Sequence, residues 1–421
     1  MKPIAAASRA LQATLLFAAA HSLWSTAVAE TFTKHGHWLQ VGPNPCAIVA
    51  ADLNEDGLPE IVTADRGSMG DPREERPAND ELSLLVAQPG LTYEAKPPLR
   101  AGFAPWCVVA VNIDALKAPD LVVGSFHDAR NRDLTLFRNL GENGFEPSTY
   151  AVPDAGLRYE SVLNDDEQPI YTTPGITAVA VRDINRDGFR DAAAAGWASG
   201  VIAVFPGHAE TYFGAPKLVE ARGGPRDVQL ADFDGDDQLD MAATMYNSNE
   251  IALWKGDGAF GFTEVRRFAS RAPLPHKLRV ADMNGDGKAD LIVAHCFTSD
   301  SVAIFFGDGG FSFSVSQEIE MSDKNDLRVV EDEVRDAIVD DFNGDGRQDL
   351  AASCFASERV CVFLNRSSSG QGAPLSWEQE RYSYNDARPY ALCSADFNGD
   401  GKRDIGVTLW QANSVAILLG R

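Results

Sequence analysis

Cysteine is scarce in this chain, six in 421 residues, too few to staple a protein of this length. At positions 46, 107, 296, 354, 361 and 393 they match no zinc-site spacing. A glycine-rich phosphate loop, a nucleophile elbow and the paired carboxylates of a glycosidase are also missing. Nothing therefore points to a hydrolase or a transferase. Beyond residue 29 no apolar run is long enough to span a bilayer. Basic residues are outnumbered 37 to 61 by acidic ones, for a formal charge of −24. Such a surface repels nucleic acid and anionic membranes. Neither is expected as a partner, and cations are.

The first residues, MKPIAAASRALQATLLFAAAHSLWSTAVAE, place Lys2 and Arg9 ahead of an apolar stretch from Leu11 to Ala20. Ala27, Val28 and Ala29 then supply a small-x-small cleavage pattern. Residues 1–29 read as a signal peptide, which predicts a secreted or periplasmic protein comprising residues 30–421 and acting as a monomer. Export permits disulfides. Cys46 with Cys107, Cys296 with Cys354, and Cys354 with Cys361 are the pairs that the sequence leaves open.

What is abundant is one acidic unit. ADLNEDGLPEIVT starts at Ala51, RDINRDGFRDAAA at Arg182, ADFDGDDQLDMAA at Ala231 and ADMNGDGKADLIV at Ala281. DDFNGDGRQDLAA starts at Asp340, ADFNGDGKRDIGV at Ala395, and a worn copy, VNIDALKAPDLVV, at Val111. Their first motif residues fall at 52, 112, 183, 232, 282, 341 and 396. Seven copies at such spacing describe a repeat architecture. Each motif lies between short β-rich runs with turn signals, four strands to a unit, which predicts an all-β, seven-bladed β-propeller of four-stranded antiparallel blades. The chain stops one strand short in its last unit. Residues 31–42, TFTKHGHWLQVG, resemble an outer strand and are expected to complete that blade.

These motifs resemble the FG-GAP or VCBS repeats of integrin α-subunit heads and of many secreted bacterial proteins. The resemblance implies calcium loops in which side-chain oxygens at positions 1, 3, 5 and 9 and a backbone carbonyl at 7 surround one ion, with Gly at 6 for the turn. Oxygen-only ligation of this kind suits Ca²⁺. Four loops are complete: Asp183, Asn185, Asp187 and Asp191; Asp282, Asn284, Asp286 and Asp290; Asp341, Asn343, Asp345 and Asp349; Asp396, Asn398, Asp400 and Asp404. Asp232, Asp234, Asp236 and Asp240 form a fifth with Asp237 in place of the turn glycine, and Asp52, Asn54, Asp56 and Glu60 a sixth. The worn copy keeps Asn112, Asp114 and Asp120 but carries Leu116 and Lys117 where a carboxylate and Gly belong. It is expected to be empty, with Lys117 supplying part of the missing charge. Up to six structural Ca²⁺ would then offset most of the acidity.

Function is expected on the opposite face, where three insertions fall: Arg66 to Asp80, Val152 to Pro174 and Glu320 to Val334. Six residues past motif position 9 the blades present Arg66, Phe126, Trp197, Tyr246, Cys296, Phe355 and Trp410. Six before position 1 they present Cys46, Trp106, Thr177, Arg226, His276, Arg335 and Tyr390. The candidate ligand-binding residues are Trp106, His127, Trp197, Arg226, Tyr246, His276, His295, Arg335, Tyr390 and Trp410. Aromatic faces stack on sugars and Arg forks onto carboxylate or sulfate; packing between blades accounts for the same aromatics equally well, and salt bridges to Asp227, Asp336 or the acidic insertions account for Arg226, His276 and Arg335. Integrin heads, which the chain resembles, hold a basic side chain here, whereas the interspersed Arg imply an anionic ligand. Two functions follow: a binding module for a glycan or protein, or a lyase or dehydratase acting on an anionic polysaccharide. In the second, Arg226 and Arg335 neutralise a uronate and His276, His295 or Tyr246 removes a proton.

Overall fold

The run after each acidic loop, DLIVAH or DLAASC for example, shows no polar alternation, as suits a strand covered on both faces. The computed structural model places these runs as the second strand of each blade. Asp191–Gly196, Asp240–Met245, Asp290–His295 and their four counterparts are buried along their whole length. The structure describes residues 30–67, 79–114, 116–126, 132–153, 173–297, 300–321, 332–368 and 374–421. The expected leader at 1–29, most of the three insertions and His127 lie outside them. Among the described residues no helix is long and apolar enough to cross a membrane.

The fold is all-β, a ring of seven four-stranded antiparallel blades. In blades one to six the strands follow chain order from the innermost outwards. The innermost strands run Pro45–Ala51, Pro105–Val111, Ile176–Arg182, Pro225–Ala231, Pro275–Ala281, Val334–Asp340 and Pro389–Ala395. Each touches the next around the ring, and the last touches the first. Blade three departs from the plan with a hairpin, Gly207–His208 against Tyr212–Phe213, before a short outer strand, Lys217–Glu220.

Closure follows the sequence expectation. Phe32–Lys34 pairs antiparallel with the last strand of the chain, Phe32 opposite Gly420 and Lys34 opposite Leu418. The chain then swings away and returns at Leu39–Gln40 beside Val415 and Ser414. The Phe32 ring is fully buried, edge-on to Phe342 at 5.7 Å and to Tyr382 at 6.0 Å.

Neighbouring blades are also latched by polar groups. The N–H of Asp227 donates to Thr244 Oγ1 within its own blade, and its Oδ2 accepts the N–H of Leu278 in the next, both at 3.0 Å. Asp336 repeats the pattern with Ser353 and Leu392. Arg279 bridges the two aspartates, 3.4 Å from Asp227 and 2.8 Å from Asp336.

If the N-terminal strand closes the ring, Phe32→Ala should cost about 3–5 kcal/mol, as for other buried Phe truncations. Urea denaturation measures it, and a cost below about 1 kcal/mol would mean the seventh blade is held by other contacts.

Candidate functional site

Two faces carry the candidate chemistry. On one, the nine-residue loops join first to second strands. Their backbone enters the left-handed region at motif position 6, with φ of 82° to 91° at Gly57, Gly188, Gly287, Gly346 and Gly401, and Asp237 adopts the same conformation at 66°. A short polar side chain tolerates that region better than most, so the substituted loop keeps its turn.

The residue at position 9 is more than a candidate ligand. In blade five Asp290 is fully buried: its Oδ2 accepts the N–H of Met283 and its Oδ1 that of Gly307, both at 2.8 Å. Asp404 does the same with Phe397 and Gly420, and Asp349 with Phe342 and Asn365. One carboxylate thus ties the acidic loop to the end of the third strand. Blade two, the worn copy, keeps this clamp: Asp120 accepts from Ile113 at 2.9 Å and Asn139 at 2.7 Å. Burial pushes Asp290, Asp349 and Asp404 up to about 6, and the two N–H bonds pull each back only in part.

In blade four the loop acids lie close enough to serve a cation. Asp232, Asp234 and Asp240 bring ligand oxygens within 4.8 Å of one another, the one such acidic triplet among the described residues. Asp183 Oδ1 is buried without a hydrogen-bond partner, an oxygen suited to a metal. At position 3, Asn54, Asn185, Asn284 and Asn398 donate to the position-5 carboxylates Asp56, Asp187, Asp286 and Asp400. In blade four Lys255 Nζ sits on Asp234, a member of the triplet, and 2.7 Å from Asp236.

One expectation needs correction. Lys117 does not neutralise its own loop; it pairs with Glu55 in the first blade's loop at 2.7 Å. Arg138, reaching from the third strand, lies 3.4 Å from Asp114 in its place.

The opposite face carries the ring of aromatics and cations. Trp106, Phe126, Trp197 and Tyr246 form a chain of ring contacts at 4.8, 5.7 and 6.3 Å. Across the mouth, Tyr390 stacks on Trp410 at 4.9 Å and meets Phe355 at 5.9 Å. Three guanidiniums lie against these rings. Arg66 is 4.3 Å from the centre of Trp106 and 4.5 Å from Trp410; Arg226 is 4.4 Å from Trp106 and 5.3 Å from Tyr246. Arg335 lies over Phe297 and Phe355 at 4.1 and 4.7 Å, and pairs with Glu333 at 2.6 Å. His276 is buried beside them. Its Nδ1–H donates to the Arg335 carbonyl at 2.8 Å and its Nε2 accepts from Arg226 at 3.3 Å. Burial first, then Arg226, hold it well below the usual histidine range, so it stays neutral.

The candidates divide accordingly. Trp106, Trp197, Arg226, Tyr246, His276, Arg335, Tyr390 and Trp410 are brought together at the mouth. His295 is not a ligand-facing group: it is fully buried within blade five, with Nε2 2.7 Å from the Ser270 carbonyl and Nδ1 3.4 Å from that of Ser301. Arg66, presented by the same register but not among the candidate ligand-binding residues, lies against Trp106 and Trp410 in this cluster. The described ends of the insertions border the mouth: Thr173 donates to the Phe126 carbonyl, and the Phe355 N–H donates to the Glu333 carbonyl. All six cysteines are free thiols, with Cys354 and Cys361 Sγ to Sγ at 3.6 Å.

The FG-GAP-like repeat family matches residues 232–293 and 341–407, which hold four of the acidic loops. The chain carries FG-GAP-like repeats. Among curated proteins, the T-cell immunomodulatory protein homolog of Plasmodium yoelii yoelii is 27% identical over 137 residues, 30% of this chain and 19% of that protein. The chain therefore matches about a fifth of that relative's length. The chain shares its fold with BBS1N, solved in complex with ARL6DN, at TM-score 0.58 and 13% identity over 91% of this chain and 97% of that one. Virginiamycin B lyase from Staphylococcus aureus gives 0.56 and 11% over 92% and 99%.

Because blade two keeps the position-9 clamp without a competent loop, Asp120→Ala should cost about 2 kcal/mol by leaving two backbone N–H groups unpaired. Calorimetry should find the same loss with and without a chelator; a loss that depends on calcium would make Asp120 an ion ligand instead.

Proposed function

We propose that this is a secreted, calcium-stabilised β-propeller that works as a binding module, receiving an anionic ligand at the mouth opposite its acidic loops. The observation that carries the reading is a charge imbalance. Arg66 and Arg226 have no carboxylate partner among the described residues, while the chain as a whole is acidic. A cation removed from water needs a counter-charge, and cation–π contacts replace only part of it.

The acidic loops fit Ca²⁺ by donor chemistry, being oxygen-only and rich in carboxylates. Asp52, Asn54, Asp56 and Glu60 would hold an ion in blade one, and the equivalent residues in blades three to seven. Bound there, each ion would neutralise its loop and so stiffen the join between first and second strands. The leader-like pattern at residues 1–29 supports export.

Catalysis is less well supported. A uronate lyase needs a base at the substrate, yet both His276 nitrogens are engaged and the Tyr246 phenol is pushed far up by burial.

Two measurements test the proposal. EDTA should lower the melting temperature, since each site filled at a hundredfold excess over its Kd adds about 2.7 kcal/mol; an unchanged transition and a metal-free sample would remove the calcium part. On an array mixing glycans and peptides, Arg226→Ala with Arg335→Ala should abolish retention, while Lys402→Ala on the loop face should leave it intact. Retention that ignores the double substitution would place the ligand elsewhere.

A further inference from the structure

The mouth restricts what its ligand can be. We infer that its anchoring group is a carboxylate on an acidic side chain of a partner protein, received between Arg66 and Arg226 beside Trp106. This rests on the reading that the mouth is the binding side. Both guanidinium carbons lie within 4.4 Å of the centre of one indole, so the two charges share a single ring. Nε of each is buried without a hydrogen-bond partner. Arg66 is only 8% exposed, and its guanidinium lies against two indoles. Two like charges held so near each other repel until an anion joins them, and the planar guanidinium offers a carboxylate paired donors.

Sugar recognition fits the same surface poorly. A pyranose needs an open aromatic face, but Trp106, Phe126, Phe355 and Tyr390 are buried and stacked on one another or under guanidiniums. On this inference the buried rings act as packing and as supports for arginine, while Trp197, Tyr246 and Trp410 are half-buried. The mouth is also a closed ring of inner strands, which accepts a protruding group more readily than a polysaccharide lying lengthwise. Phe297, 42% exposed and 4.1 Å from Arg335, gives the rim an apolar edge for the aliphatic part of a peptide. Buried arginine and aromatic anchors behind such a rim are the make-up of protein-binding hot spots.

The experiment uses the whole secreted chain and four probes in calorimetric titrations. They are an acetylated, amidated Gly-Gly-Glu-Glu-Gly-Gly peptide, its Gln counterpart, a hexameric oligogalacturonate and inorganic phosphate. Expected is binding of the Glu peptide, at least tenfold weaker binding of the Gln peptide and of phosphate, and no tighter binding of the oligouronate. Arg66→Gln with Arg226→Gln should weaken the Glu peptide tenfold or more at an unchanged melting temperature; should that variant unfold, the Glu and Gln peptides on the unmodified protein still decide. Equal binding of the two peptides, or preference for oligouronate or phosphate, overturns the inference. Oligouronate binding that the double substitution abolishes would sink the peptide ligand yet leave the mouth as the site. Glu-peptide binding that the substitution leaves untouched would sink both.

Discussion

The architecture depends on one repeated interaction: a buried carboxylate at motif position 9 that accepts two backbone N–H groups from different parts of its blade. The chain there must turn sharply out of the innermost strand, and the N–H at position 2 has no strand partner. Burying it unpaired would cost as much as a lost hydrogen bond. The same carboxylate takes the N–H at the end of the third strand, as Asp290 does with Gly307 and Asp404 with Gly420. Three strands are thereby registered from one point. A carboxylate is well suited to this because two oxygens with charge-assisted bonds are stronger acceptors than a neutral amide.

Blade two separates that clamp from metal binding. Asp120 keeps both N–H bonds although Leu116 and Lys117 stand in place of a ligand carboxylate and the turn glycine. The ring closes through this blade like any other, with the clamp in place. Neutralisation is a different matter, because the outer acids of a loop remain crowded. The protein answers that crowding locally with cations of its own: Arg138 beside Asp114, Lys255 between Asp234 and Asp236, Arg366 3.6 Å from Asp345. These contacts are largely exposed and weak individually, and a divalent ion would outcompete them where the ligand set is complete.

Much of this was legible in the sequence because repeats multiply a weak signal. Seven copies in register disclosed the blades, the strand missing from the last of them, and the turn at Asp237, whose positive φ follows from its position in the motif. Less could be read of the mouth. Register places Arg66, Arg226 and Arg335 at one end of the inner strands, but a side chain with four torsions can end on a carboxylate or on a ring, and register does not choose. Asp227 and Asp336, the nearest acids in sequence, are bound instead to neighbouring backbone and to Arg279. His295 misled for the same reason: its place at the end of a second strand looked like the rim, while its ring turns into the blade to meet two carbonyls. Lys117 reached across to Glu55 because a blade's loop lies as near its neighbour as itself.

The two faces are therefore opposite in what they lack. On the loop face carboxylates outnumber cations, and the deficit is divided into small shares that ions from solution can fill one blade at a time. At the mouth the imbalance is reversed and concentrated: Arg66, Arg226 and Arg335 meet a single carboxylate, Glu333, among the described residues. Aromatic rings make that tolerable by shielding the guanidiniums from water without taking their N–H groups, which leaves donors dry and in place. A group that arrives with negative charge would meet donors already oriented, and so would pay less in ordering than it would at a flexible surface. The acidic shell works against this at long range, since it repels any anion approaching from solution. Within a Debye length of the mouth the local arginines prevail over the more distant acids. Recognition built this way should favour a ligand whose negative charge is confined to one point over a polyanion, because a long polyanion would bring its remaining charges against a chain that is acidic as a whole.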